Sequence, residues 1–131
     1  MLILAMLLAV ATPPTPRAVV IAMFEAFNRH DAAAIARLYA ADARLASSDF
    51  CAARGRNDVV RTYTALFAAY PDIRDRIDVM IVERDRVAVR FVATSRTGGP
   101  TMPVQAMIRV RDGLIVEDDA VFDAGGEPCQ P

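Results

Sequence analysis

The sequence predicts an α+β fold: a cone-shaped roll of three N-terminal helices packed in a curved, mostly antiparallel sheet. Three observations predict it. Apolar residues recur at helical spacing from Arg17 to Tyr70. After Pro71 the apolar period changes from 3.6 to two. Turn signals then divide the second half into consecutive strands, the last two joined at Asp112-Gly113.

The elements follow in order. Val20, Met23, Phe24 and Phe27 fall at i, i+3, i+4 and i+7 and define the first helix, which ends near Asn28-Arg29-His30. Asp31 is placed to cap a second, short helix whose buried side carries Ile35, Leu38 and Tyr39. Asp42 to Ser48 reads as a short strand with Ala43, Leu45 and Ser47 on one face, followed by a loop through Asp49, Cys51 and Gly55. Asn57 is placed to cap a third helix, with Val59, Val60, Tyr63, Leu66, Phe67 and Tyr70 on its apolar side, and Pro71 stops it.

In the sheet, Ile77, Val79 and Ile81 alternate with Asp78, Met80 and Val82. After a turn at 83–86, Val87, Val89, Phe91 and Ala93 share a face, with Arg90 on the other. Gly98-Gly99-Pro100 makes the next break, and Met102, Val104, Ala106, Ile108 and Val110 again share a face. In the last strand the alternation groups Leu114, Val116, Asp118, Ala120 and Phe122, so Asp118 points inward while Glu117, Asp119 and Asp123 point away.

At 131 residues the chain is long enough for one domain with one core. A net charge of −1 gives no electrostatic reason to expect nucleic acid or an anionic membrane as partner. Met1 to Ala11 is an apolar run ending in Ala9-Val10-Ala11, the pattern of a signal peptide with its cleavage site, although no basic residue precedes it. The run is short for a membrane span, and the competing reading is a buried N-terminal helix. Three prolines between Thr12 and Pro16 suit an exposed mature N-terminus. The expected organisation is a signal peptide over residues 1–11 and a single domain over 12–131, secreted or periplasmic, without membrane contact after cleavage. Cys51 and Cys129 are the only cysteines; an oxidising compartment would join them, and a cytosolic one would leave two free thiols. One histidine and two cysteines form no metal-ligand constellation, and no Gly-rich phosphate loop or Ser-His-Asp arrangement is present, so no metal and no cofactor is expected.

Six segments carry a resemblance: Phe24–Asp31 (F-E-A-F-N-R-H-D), Leu38–Ala43 (L-Y-A-A-D-A), Gly55–Tyr63 (G-R-N-D-V-V-R-T-Y), Tyr70–Asp72 (Y-P-D), Asp85–Phe91 (D-R-V-A-V-R-F) and Asp112–Glu117 (D-G-L-I-V-E). In this order and spacing the chain resembles the nuclear transport factor two-like superfamily and, within it, the SnoaL-like, polyketide cyclase-like group. The resemblance implies a helix-lined cone that takes a hydrophobic small molecule, and a homodimer formed through the outer face of the sheet. Fold alone does not assign a reaction, since isomerases, cyclases, dehydratases and plain binding modules share it.

Ketosteroid isomerase, the best-understood chemistry of this fold, uses a base, a tyrosine and a protonated acid. Those positions fall near Ser47, Met23 and Ala106, none of which can do the work. Only Tyr63 matches, at a supporting pocket tyrosine. Other members carry an acid or histidine at the position of Asp118. The resemblance therefore implies Asp118 as general acid or base, with Tyr63 donating to a carbonyl oxygen. Met23, Ser47, Asp49, Phe67, Met102, Val104 and Phe122 would contact the ligand. Three readings follow: a binding domain for a hydrophobic small molecule, an acid–base isomerase, cyclase or dehydratase using Asp118, and a non-catalytic dimeric interaction module. An Arg90–Asp118 pair like that of epoxide hydrolases of this fold would need Arg90 on the inner face, where alternation does not put it. His30, in a turn beside Asp31, reads as an exposed turn residue.

Overall fold

The computed structural model describes residues 9–97 and 101–131. The greater part of the apolar run and the Gly98-Gly99-Pro100 break thus lie outside the described residues. The first helix, α1, spans Pro16–Asn28. It begins one residue earlier than the apolar pattern suggests, because Pro16 occupies the first turn, where a missing N–H costs nothing, and the Thr15 hydroxyl accepts from the Ala18 N–H at 3.2 Å. It ends on His30 in the left-handed region (φ 57°), with the Asp31 N–H bonded back to the Ala26 carbonyl. Helix α2 (Ala32–Arg37) is capped by Asp31 as expected, its carboxylate accepting from the Ala34 N–H at 2.9 Å. Helix α3 (Arg56–Ala69) starts two residues earlier than expected; its N-cap is Gly55 rather than Asn57, and Val60 is exposed.

Six strands form one sheet: β1 (Tyr39–Ser47), β2 (Arg54–Gly55), β3 (Arg74–Glu83), β4 (Arg86–Thr94), β5 (Thr101–Arg111) and β6 (Leu114–Val121). Their order is β2-β1-β6-β5-β4-β3, antiparallel throughout except for the parallel β1–β6 pair. The helices cover one face and form the core with Val87, Val89, Ile108, Val110 and Ile115. The inward faces of β4 and β5 are those read from the alternation, and Phe24 of α1 meets Phe91 edge-on at 4.9 Å.

Bulges in β3 and β6 change the alternation there. In β3, Ile77 pairs with Phe91 and Val79 with Arg90, which leaves Asp78 as an extra residue. Asp75 and Ile77 therefore face the helices, Met80 and Val82 take over the inner face, and Val79 and Ile81 turn outward instead of sharing the Ile77 face. In β6, Val110 pairs with Ile115 and Arg109 with Glu117, so Val116 is extra. Ile115 is buried and Leu114 exposed, the reverse of the simple alternation. Ile115 and Asp118 are three residues apart, and a regular strand would send them to opposite faces; the bulge lets both point inward. Bulges of this kind also bend the sheet around the helices.

Tyr39 was expected on the second helix but opens β1. At the β5–β6 turn Asp112 and Gly113 both have positive φ (52° and 78°), and a Cβ on Gly113 would come within 2.8 Å of Pro14. The proline segment thus lies against this turn, although its residues remain largely exposed. Cys51 and Cys129 form a disulfide. It holds the C-terminal tail against the β1–β2 loop, where Cys51 N–H donates to the Gln130 carbonyl (2.8 Å) and Gln130 N–H to the Asp49 carbonyl (2.7 Å).

Candidate active site

The interior centres on Asp118, which is 4% exposed. In register, it lies between Leu45 of β1 and Ile108 of β5, both apolar and buried. Its one hydrogen-bond donor among the described side chains is the Tyr39 hydroxyl, at 2.6 Å from Oδ2. Tyr39 is itself 1% exposed, and its oxygen lies 3.7 Å from the Met23 sulfur. No arginine or lysine pairs with Asp118 among the described residues; Arg90 is on the outer face, as alternation indicated.

This environment acts on protonation in opposing ways. Burial disfavours the carboxylate and raises the pKa of Asp118, the Tyr39 hydrogen bond pulls it down, and the charge of Asp119 adds to the rise. Burial wins, and the carboxyl is pushed up to about 6. Tyr39 is held well above the usual phenol range by burial first, then by the charge of Asp118. Tyr63 of α3 is also raised, by burial and then by Asp118, so its hydroxyl stays protonated and available as a donor. A carboxyl near 6 beside protonated phenols can take or give a proton close to neutral pH.

Around Tyr63 the aromatic packing is continuous. Phe27 meets Tyr63 edge-on at 5.9 Å and Phe67 at 5.2 Å, and the His30 ring stacks on Phe67 at 4.5 Å. His30 is half-buried rather than exposed, with Nε2 2.8 Å from the Ile73 carbonyl, so its role at this corner is structural. Met23, Phe67, Tyr63 and Asp118 are gathered inside, and Val104 and Met102 lie on the inner face of β5, buried and half-buried respectively.

Ser47 and Asp49 are engaged elsewhere. The Ser47 hydroxyl donates to Asp49 Oδ1 at 2.6 Å, and Gln130 Nε2 reaches Asp49 Oδ2 at 3.2 Å, so both residues brace the loop to the tail. Phe122 does not join the interior: it lines a groove of about 840 Å³ along the sheet with Val79, Ile81, Arg90, Met107 and Val121. The reason is that β6 ends at Val121, where the chain turns toward Ser48, whose hydroxyl accepts from the Phe122 N–H at 2.9 Å.

Two interior residues escaped the sequence reading. Tyr39 continues the helical period of Ile35 and Leu38, which masked its place on a strand. Asp75 shares an inner face with Ile77, a parity that extending the strand to Arg74 would have revealed. Burial pushes its carboxyl up to about 7.

The SnoaL-like domain profile matches residues 20–118, from the first buried turn of α1 to Asp118 itself. The chain belongs to the SnoaL-like domain family. Among solved structures, this SnoaL-like chain is similar to wild-type IdmH, a candidate polyketide cyclase from Streptomyces antibioticus, at 26% identity and a TM-score of 0.72, over 84% of this chain and 93% of that one. AclR, a candidate hydroxylase from Streptomyces galilaeus, is 24% identical with a TM-score of 0.69, over 82% and 88% of the two chains. An NTF2-like protein of unknown function from Cytophaga hutchinsonii shares the fold at 16% identity and a TM-score of 0.72, over 87% and 95%. No curated protein matches the SnoaL-like chain.

Proposed function

We propose that this SnoaL-like domain binds a hydrophobic small-molecule ketone in its interior and moves protons on it through Asp118, as an isomerase or cyclase. The observation that carries the reading is a carboxyl closed from water, held by a tyrosine rather than by a cation, and raised to about 6. A purely structural aspartate in such a place would be expected to pair with arginine and titrate low. The similarity to IdmH, a candidate polyketide cyclase, points to the same substrate class.

In this reading the Asp118 carboxylate removes a proton from the carbon beside the ketone. Tyr63 donates a hydrogen bond to the carbonyl oxygen, where negative charge develops. Tyr39 keeps the carboxylate aimed and stabilises it enough to act as a base. The test is hydrogen–deuterium exchange at the α-carbon of a panel of polycyclic aromatic ketones, followed by mass spectrometry. Wild-type protein should accelerate exchange for at least one of them, and D118N should reduce that rate by about 10²–10⁴-fold, the usual contribution of a general base. Equal rates in the two proteins would contradict the assignment.

A second reading concerns assembly. Val79, Ile81, Met107 and Val121 are large apolar residues exposed on the outer face, with Ile81 63% exposed and Val121 61%. A patch of this kind favours burial against another surface, and we take a homodimer as the occupant. Sedimentation velocity should find a dimer for wild type and a monomer for I81R; a wild-type monomer at tens of micromolar would contradict it. The disulfide and the apolar N-terminal run together support export to the periplasm or the medium.

A further inference from the structure

We propose that Asp75 is a second acid–base group of the same interior, acting with Asp118. This rests on the acid–base reading of Asp118. The geometry begins with the clasp that places Asp75. The Asn28 side chain, at the end of α1, donates to the Asp75 carbonyl at 2.9 Å and accepts from its N–H at 2.8 Å. That clasp consumes the backbone groups and leaves the side chain free of them. With Ile77 on the same face, the bulge at Asp78 keeps Asp75 directed toward the helices. Its Oδ1 is closed from solvent and no group among the described residues hydrogen-bonds to it.

A buried carboxyl oxygen without a partner needs an explanation. The groups around it do not neutralise it. Arg74 is bonded to the Asn28 carbonyl at 2.7 Å, Arg76 is exposed and paired with Asp78 at 3.2 Å, and His30 engages the Ile73 carbonyl. On β4 the partner of Asp75 is Ala93. From α3 it is Tyr63 that feels Asp75, and Tyr63 also feels Asp118. The interior therefore holds two carboxyls, both raised by burial, and the charge of each acts on the Tyr63 phenol. Near neutral pH such a set can hold one carboxyl charged and the other protonated, the condition for a base and an acid in one site.

The chemistry balances. Asp118 takes a proton from the substrate carbon and becomes neutral, while neutral Asp75 gives a proton to another position of the same substrate and becomes a carboxylate. The bound charge is unchanged, and exchange with water restores both groups after product leaves.

The test is carbon-13 NMR of aspartate side-chain carboxyls in the ligand-free protein, titrated from pH 4 to 9, for wild type and D118N, with α-proton exchange measured for D75N. Asp75 should titrate well above the ordinary carboxyl range in wild type. Its midpoint should stay raised in D118N, since burial alone lifts it. D75N should slow exchange by at least about tenfold while ligand affinity holds. An ordinary midpoint for Asp75 or an unchanged rate in D75N would overturn the proposal. Full activity in D118N would overturn the role of Asp118 alone, and the D75N rate would still decide that of Asp75. The wild-type titration needs no variant to fold.

Discussion

Asp72 and Asp75 are three residues apart, and the fold drives their carboxyls in opposite directions. Asp72, at the turn after α3, accepts from the Ser95 hydroxyl at 2.6 Å, the Arg96 N–H at 2.9 Å and the Thr97 hydroxyl at 2.9 Å. These bonds favour the charged form, with Ser95 the largest cause, and hold the group down at about 2. Asp75 has no such bonds on its buried Oδ1, and burial alone lifts it to about 7. The difference teaches how to separate structural from reactive acids in this chain. A carboxylate surrounded by donors ties a loop to a strand end and stays charged. One surrounded by apolar groups and a phenol keeps a proton within reach of neutral pH.

Substitutions at the two positions would break or sharpen this contrast. The largest effect is expected at Asp75. Its folded pKa lies above its ordinary value, so the folded state binds more protons than the unfolded state between about pH 4 and 7. Stability conferred by the neutral form is complete below that window and falls as pH rises through it, by roughly 4 kcal/mol. D75N removes this fall, and chemical denaturation at pH 4.5 and pH 8 should show a much smaller difference between the two conditions than in wild type. D72N should do the reverse: the folded pKa of Asp72 is depressed, so its contribution is present above pH 4 and the variant is weaker throughout that range.

Asp118 follows Asp75 with a smaller amplitude. Its window runs from about pH 4 to 6, with roughly 3 kcal/mol lost as pH rises through it. D118N should flatten this part of the pH–stability curve and slow exchange by about 10²–10⁴-fold, separating stability from chemistry at a single residue. The smallest effect on stability is expected for Y39F. It removes the donor that lowers the Asp118 pKa, so the carboxyl should titrate higher and the activity profile should move to higher pH.

Much of the fold was legible in the sequence because period and face agree over long stretches. The inner faces of β4 and β5, the Asp31 cap and the inward aim of Asp118 all follow from alternation and capping chemistry. The bulges at Asp78 and Val116 were not legible, because an extra residue in one strand is decided by its pairing with another. They reassigned Val79, Ile81, Leu114 and Ile115 to new faces, and with them the composition of the outer groove. In the site, Asp118 and Tyr63 were found through the resemblance. Tyr39 was missed because it continued a helical period by coincidence, and Asp75 because it lay two residues before the alternating run. Ser47 and Asp49 look like ligand groups in sequence, yet Ser47 bonds to Asp49, and Asp49 is engaged by Gln130, 81 residues away in the tail.

The most direct test of the central claim is the titration of Asp118 itself, followed by its carboxyl carbon resonance in the ligand-free protein. A midpoint near 6 that moves upward in Y39F is the expected result. A midpoint near 4, unaffected by the loss of the Tyr39 hydroxyl, would contradict the account.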